Sequence, residues 1–301
     1  CGHARPQASI SDRHEDRPRV RLWWGRYCAP VGERHRRKTP YWGIMRFAVF
    51  PHGRDLMLNI LENDGVRTLH FGSSVVQGAM RVNQPNDIEL EYVQQMMMWL
   101  LFRDNAAHIV QLGLGAAALT KFCYQRLSPA KVTAIELDPD VITACRNHFA
   151  LPPDDARLSV LALDAMDYVS DFSRRRSIDV LQVDLYDAQA IRPLRSTAAF
   201  YAQCASCLTA TGILTINLYC DWPEHLHHIQ MLQESFEAVA WLPEVHQGNI
   251  VAIAFKRSPS VDFDDLHKRA EQIQATLGLP ARTWVDGLHK WMSNDEEPVQ
   301  G

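Results

Sequence analysis

Three carboxylates, Glu136, Asp164 and Asp184, each follow a short apolar run that reads as a buried strand, and two glycines, Gly113 and Gly115, end a fourth such run. In open parallel sheets the carboxyl ends of the strands form one crevice, where ligands bind. Acids gathered there repel one another and lose solvation, which makes sense when a ligand with donors or positive charge sits among them. Glu136 stands about 20 residues beyond the glycines, the spacing of an acid that accepts hydrogen bonds from ribose hydroxyls. Glycine at 113 and 115 lets the chain turn sharply and bring its backbone close to a ligand. Asp164 would lie near an adenine amino group. Asp184 would face the reacting centre with Asp187 beside it, in Val183-Asp184-Leu185-Tyr186-Asp187, and Tyr186 could wall the substrate crevice.

The elements that must hold these groups can be followed along the chain. His108 to Leu112 reads as a strand ending at the glycine turn, a helical pattern runs to about Leu127, and Val132 to Ile135 is a second strand ending on Glu136. Leu158 to Leu163 and Ile178 to Val183 are further strands, ending at Asp164 and Asp184. A helix over 197–208 leads through Gly212 to a strand over 213–218, and Asp221 is placed to cap the next helix. Strands over 236–242 and 249–255 are joined by too short a connection to be parallel neighbours, so they must pair antiparallel. An otherwise parallel sheet ending in an antiparallel hairpin predicts a Rossmann-like class I methyltransferase-type α/β fold with a seven-stranded sheet. Residues 105–257 would form this nucleoside-binding catalytic domain.

Before it, short strand-like runs within 45–85, with an Asp64-Gly65 hairpin turn, predict a small antiparallel β domain. A linking helix over 87–102 closes that unit at about residue 104, and its Met run reads as core. Residues 258–301 read as a helical tail. Residues 1–44 hold nine Arg and one Lys against four acids, a net +6, show no hydrophobic period, and read as a disordered basic extension. With the overall charge at −4, residues 45–301 therefore carry −10. That acidity argues against nucleic acid as a partner and favours a small cationic substrate.

No run of 18 apolar residues is present, so no segment is expected to span a membrane. Most of the seven Cys fall at core-like positions, which suits a reducing cytoplasm better than a disulfide framework, and Cys204 and Cys207 read as core rather than as a redox pair. His225, His227 and His228 read as a solvated helix face, and no metal is expected.

With these residues in place, the chain resembles the spermidine synthase (polyamine aminopropyltransferase) family over residues 55–256. The resemblance rests on Asp64-Gly65, Val75-Val76-Gln77, the helix with Tyr92 and Met96, the glycine turn, AIELDPDVI, ALDAMDYV and DVLQVDLYDA. It implies a homodimer that moves the aminopropyl group of decarboxylated S-adenosylmethionine to a polyamine such as putrescine. It also implies that Gln77, Gly113, Gly115, Glu136 and Asp164 hold the nucleoside. Asp184 would orient and deprotonate the amine, Asp187 would be the second acid of that loop, and Tyr92 would contact the amine substrate. The chain departs from the family pattern at Ala116, where an aspartate is usual, and at Val93 and Gln94, where His and Glu are usual. Two alternatives stay open: a methyltransferase using intact S-adenosylmethionine, and a nucleoside-binding scaffold without turnover.

Overall fold

The computed structural model describes residues 45–50, 58–185, 197–219, 224–242 and 249–294. The extension expected over 1–44, the cap at Asp221, and both Tyr186 and Asp187 lie outside the described residues. A first sheet pairs β1 (Met45–Phe50), β2 (Leu58–Asn63), β3 (Val66–Phe71) and β4 (Gly78–Arg81) antiparallel in that order. Its central hairpin turns on Asp64 and Gly65, at φ +48° and +73°. Positive φ at both turn residues matches the strands' right-handed twist, which is why Asp-Gly serves there.

The helix expected over 87–102 is instead two short pieces, α1 (Glu91–Gln95) and a 3-10 turn at Met98–Leu101. The break has a physical cause. The Met96 carbonyl accepts Gln182 Nε2 and Thr215 Oγ1, each at 3.0 Å. The Leu100 amide donates to Met97 O at 3.0 Å instead, so the last turn tightens.

Beyond this point strands and helices alternate as the apolar periods predict. They run β5 (His108–Leu112), α2 (Ala118–Arg126), β6 (Lys131–Glu136), α3 (Pro139–His148), β7 (Leu158–Ala162), α4 (Ala165–Ser170), β8 (Ile178–Val183) and α5 (Ala198–Cys207). Then come β9 (Leu208–Tyr219), α6 (Glu224–Gln233), β10 (Ala238–Trp241), β11 (Asn249–Phe255), α7 (Phe263–Leu277) and α8 (Ala281–Asn294). Among the described residues the second sheet has seven strands, in the order β10-β11-β9-β8-β5-β6-β7, with β11 antiparallel to both its neighbours. The mostly parallel sheet with its terminal hairpin is therefore present. β9 begins earlier than expected, at Leu208, and its pairing with β8 jumps from Leu208 to Ile213.

The sheet is covered on both faces, so its strands are nearly all apolar. Ile109, Val132, Ala134 and Val180 pack on one face with α1, α2, α7 and α8, while Val110, Leu112, Leu181 and Val183 pack on the other with α4, α5 and α6. Cys204 and Cys207 are buried on this second face, as core. The histidines of α6 correct the expectation of a solvated face: His225 and His228 are buried, and Tyr201 Oη lies 3.4 Å from His228 Nδ1 where α6 meets α5. A three-residue cluster cannot show by itself which side of a helix finds a neighbour. Among the described residues no helix is long and apolar enough to cross a membrane.

Candidate active site

The glycine turn is held from three sides. Gly113 has φ +93°, and a Cβ there would stand 2.1 Å from the Asp184 carbonyl oxygen. Gly115 has φ +50° and would meet the Gln77 carbonyl at 2.9 Å, while a Cβ on Gly78 would strike the Ala116 nitrogen at 2.4 Å. The turn is thus wedged between the start of β4 and the end of β8. Neither approach tolerates a side chain. The next residue but one, Ala117, also lies in the left-handed region, at φ +58°, where the chain enters α2.

Glu136, at the end of β6, braces the turn from the opposite strand. Its Oε2 accepts the Leu114 amide at 3.1 Å and its Oε1 accepts the Asp138 amide at 3.0 Å. Burial raises its proton affinity, and the Asp138 and Leu114 amides work against that rise. A carboxylate has about four lone-pair sites, so each oxygen can still accept a hydroxyl. Asp164 follows β7 and caps α4 through its contact from the Met166 amide at 2.7 Å. The strand pairing sets Glu136 beside Ala162, which places Asp164 at the same end of the sheet. Leu137 and Leu163, each next to one of these acids, are exposed at 62% and 37%. Together they offer an apolar surface beside two acceptors.

Asp184 lies across the turn, at the end of β8. Its amide donates to Leu112 O at 2.9 Å, which ties it to the strand carrying the glycines. Asn217 Nδ2 donates to Oδ1 at 3.0 Å and Tyr92 Oη donates to Oδ2 at 3.4 Å. Burial pushes the Asp184 carboxyl up to about 6, with both donors pulling it back. The Tyr92 phenol is itself held well above its ordinary value by burial and by Asp184, so it stays protonated and donates. The result is a carboxylate that loses its proton just below neutrality and is oriented by two neutral donors. Such a group can take a proton from a bound amine.

The structure therefore gathers Gln77, Gly113, Gly115, Glu136, Asp184 and Tyr92 around one turn, with Asp164 at the same end of the sheet, while Tyr186 and Asp187 lie outside the described residues. Asn217 is a site residue that sequence reasoning missed. Its signal was available: a polar residue within the apolar run Ile213 to Leu218, which buries it to 3%. A buried amide must find a partner, and Asp184 is that partner. Among the described residues no group of three or more His, Cys, Asp or Glu is arranged to hold a metal ion.

Comparison with known proteins bears on this arrangement. The model of the spermine/spermidine synthase domain matches residues 96–265. The polyamine aminopropyltransferase of Chromobacterium violaceum is 32% identical over 233 residues, covering 77% of this chain and 88% of that relative. Among solved structures, a spermidine synthase in complex with the transition state analogue AdoDATO superposes with a TM-score of 0.63 at 16% identity, over 83% of this chain and 87% of the other. Human methyltransferase-like protein 13 in complex with SAH superposes with a TM-score of 0.58 at 20% identity, over 63% of this chain and 93% of the other. The two superpositions speak to the fold alone.

Proposed function

The chain belongs to the spermine/spermidine synthase family, and from that premise we propose that it is an aminopropyltransferase, moving the aminopropyl group of decarboxylated S-adenosylmethionine to a small amine such as putrescine. The observation that carries this reading is the pair of acids on either side of one glycine turn, Glu136 on the turn's own amide and Asp184 held by Tyr92 and Asn217. In this reading Glu136 accepts the ribose hydroxyls, Asp164 faces the adenine amino group, and Leu137 and Leu163 cover the ring. Gln77, Gly113 and Gly115 line the nucleoside from the backbone side.

A primary amine is protonated at neutral pH and has no lone pair to attack with. Asp184 takes its proton, the amine nitrogen bonds to the carbon attached to sulfur, and the carbon–sulfur bond breaks with its electron pair left on a neutral thioether. A carboxylate that ionises near 6 is matched to that task, being mostly charged at pH 7 yet still basic. Holding the two reactants in attack geometry supplies much of the acceleration. Tyr92 would steady the amine end, with Tyr186 and Asp187 completing the acceptor side. The acidic net charge of residues 45–301 favours a cationic acceptor. We extend the reading to a homodimer in the cytoplasm, the latter supported by the buried free thiols of Cys123, Cys145, Cys204 and Cys207.

One observation favours the methyltransferase alternative. Ala116 is buried against Gly78 and offers no carboxylate to a donor's terminal amine. Thermal shift with decarboxylated and with intact S-adenosylmethionine separates the two, since a ligand raises the melting temperature of a fold it binds. Product analysis with putrescine completes the test. Stabilisation by the decarboxylated donor and formation of spermidine are expected. Stabilisation by the intact donor alone would replace this reading with methyl transfer.

A further inference from the structure

Gln111, Gln182 and Thr215 stand side by side on β5, β8 and β9, at 1%, 1% and 0% exposure in strands that are otherwise nearly apolar. They form one line of hydrogen bonds. Thr120 Oγ1 donates to Gln111 Oε1 at 2.6 Å, and Gln111 Nε2 donates to Gln182 Oε1 at 3.0 Å. Gln182 Nε2 and Thr215 Oγ1 then converge on the Met96 carbonyl. Two residues further along the same strands, and so on the same face, come Asp184 and Asn217. Met96 is the residue that caps the C-terminus of α1, and its amide donates to Tyr92 O at 3.0 Å, one turn back.

The helix is thus tied to the sheet at two successive rungs. At the first rung the sheet grips the backbone at the C-terminal cap of α1, and at the second it meets the Tyr92 hydroxyl. We propose that the buried rung of Gln111, Gln182 and Thr215 is a positioning device for the candidate active site, fixing where Tyr92 meets Asp184 by holding the Met96 carbonyl. The inference rests on reading Asp184 as the proton acceptor. A buried polar line of this kind is a poor source of stability, because apolar residues of the same shape often serve as well. What it supplies is one defined geometry. That matters here because the Tyr92 to Asp184 distance, 3.4 Å, is near the limit of a hydrogen bond, so a shift of a few tenths of an ångström in α1 would end it. The far end of the same segment is tied as well: Arg269 on α7 donates to Leu100 O at 2.7 Å and to Arg103 O at 3.1 Å. The chain that follows α1 is thus tied at Met96 and again at Leu100 and Arg103, which leaves the helix one register.

The test uses Thr215→Val, which keeps the shape and removes the hydroxyl, Thr215→Ser, which returns it, and Gln182→Met. Thr215→Val and Gln182→Met are expected to lower kcat about tenfold or more with donor KM nearly unchanged. They should also move the acid limb of the kcat–pH profile upward, because Asp184 loses a donor to its charged form. Thr215→Ser should restore both. In a Tyr92→Phe background Thr215→Val should shift the limb no further, since the device acts through Tyr92. A second readout does not depend on turnover: the fluorine resonance of 3-fluorotyrosine at Tyr92, assigned by its loss in Tyr92→Phe, should shift in Thr215→Val and return in Thr215→Ser. If the wild-type protein transfers no aminopropyl group, the proposed function fails while this resonance still decides the device. A Tyr92 resonance unmoved in both Thr215→Val and Gln182→Met, with only the melting temperature lowered, would reduce the rung to core packing and overturn the proposal.

Discussion

Replacing Asp184 by Asn should abolish transfer and, at neutral pH, make the protein more stable. In the folded chain burial raises the carboxyl from an ordinary 3.8 to about 6, so ionising it there is harder than in the unfolded chain. Between those two values folding takes up a proton, and the wild-type protein loses stability as pH rises. At about 1.4 kcal/mol per pH unit the full loss is about 3 kcal/mol, reached once both states are ionised. Asn pays none of it. Its amide oxygen can still accept from Asn217, and the Tyr92 hydroxyl can turn to accept from the new amide nitrogen. Urea denaturation of both proteins is the assay. The variant should lead by about 1 kcal/mol at pH 4.5 and about 3 kcal/mol at pH 8, while its kcat falls about a hundredfold or more. Other carboxylates titrate over the same range, but they are common to both proteins and cancel in the difference. A lead that is the same at the two pH values, or a variant less stable at pH 8, would refute the reasoning that Asp184 is a strained, buried charge.

Three further outcomes follow from the same geometry. Glu136→Ala removes the acceptor of the Leu114 amide along with the proposed ribose contact, and should weaken donor binding by about tenfold to a hundredfold in calorimetric titration, whereas Asp184→Asn should leave that affinity within a few-fold. Tyr92→Phe takes away one of the two donors that lower the Asp184 carboxyl, so the acid limb of kcat, which rises through about pH 6 in the wild type, should move to higher pH in a rate–pH series. Ala117→Gly relieves a left-handed alanine at φ +58°, worth about 1–2 kcal/mol, but it also frees the unfolded chain and removes a methyl that is fully buried in the core, together of similar size, so the melting temperature should stay nearly unchanged.

The glycine turn and the acids at the strand ends were legible because they depend on local pattern and one topological rule. An apolar run bounded by Gly113, Glu136 or Asp184 is a covered strand with its candidate site residue at the carboxyl end, and parallel order brings those ends together. The antiparallel hairpin was legible from connection length alone. What escaped were features decided by partners far away in the chain. The apolar period over 87–102 is helical, but the carbonyl of Met96 is claimed by Gln182 and Thr215, 86 and 119 residues on, and the helix divides there. Asn217 and Gln182 were visible as polar residues in apolar strands, yet their partners could be named only once β5, β8 and β9 lay side by side. The burial of His225 and His228 belongs to the same class, being set by where α5 packs.

The order of the second sheet has a consequence for the chain as it leaves the ribosome. β10 emerges before β11, but among the described residues it pairs with β11 alone, which in turn fills the place beside β9. Until Phe255 has cleared the exit tunnel, the outer edge of β9 keeps its amides and carbonyls open, and the emerging β10 has no strand to join. An open apolar edge is the template on which nascent chains pair wrongly with one another. Translation that stalls between the last two strands would thus release a species that sticks, and a chaperone's hold on this protein should be longest in that interval.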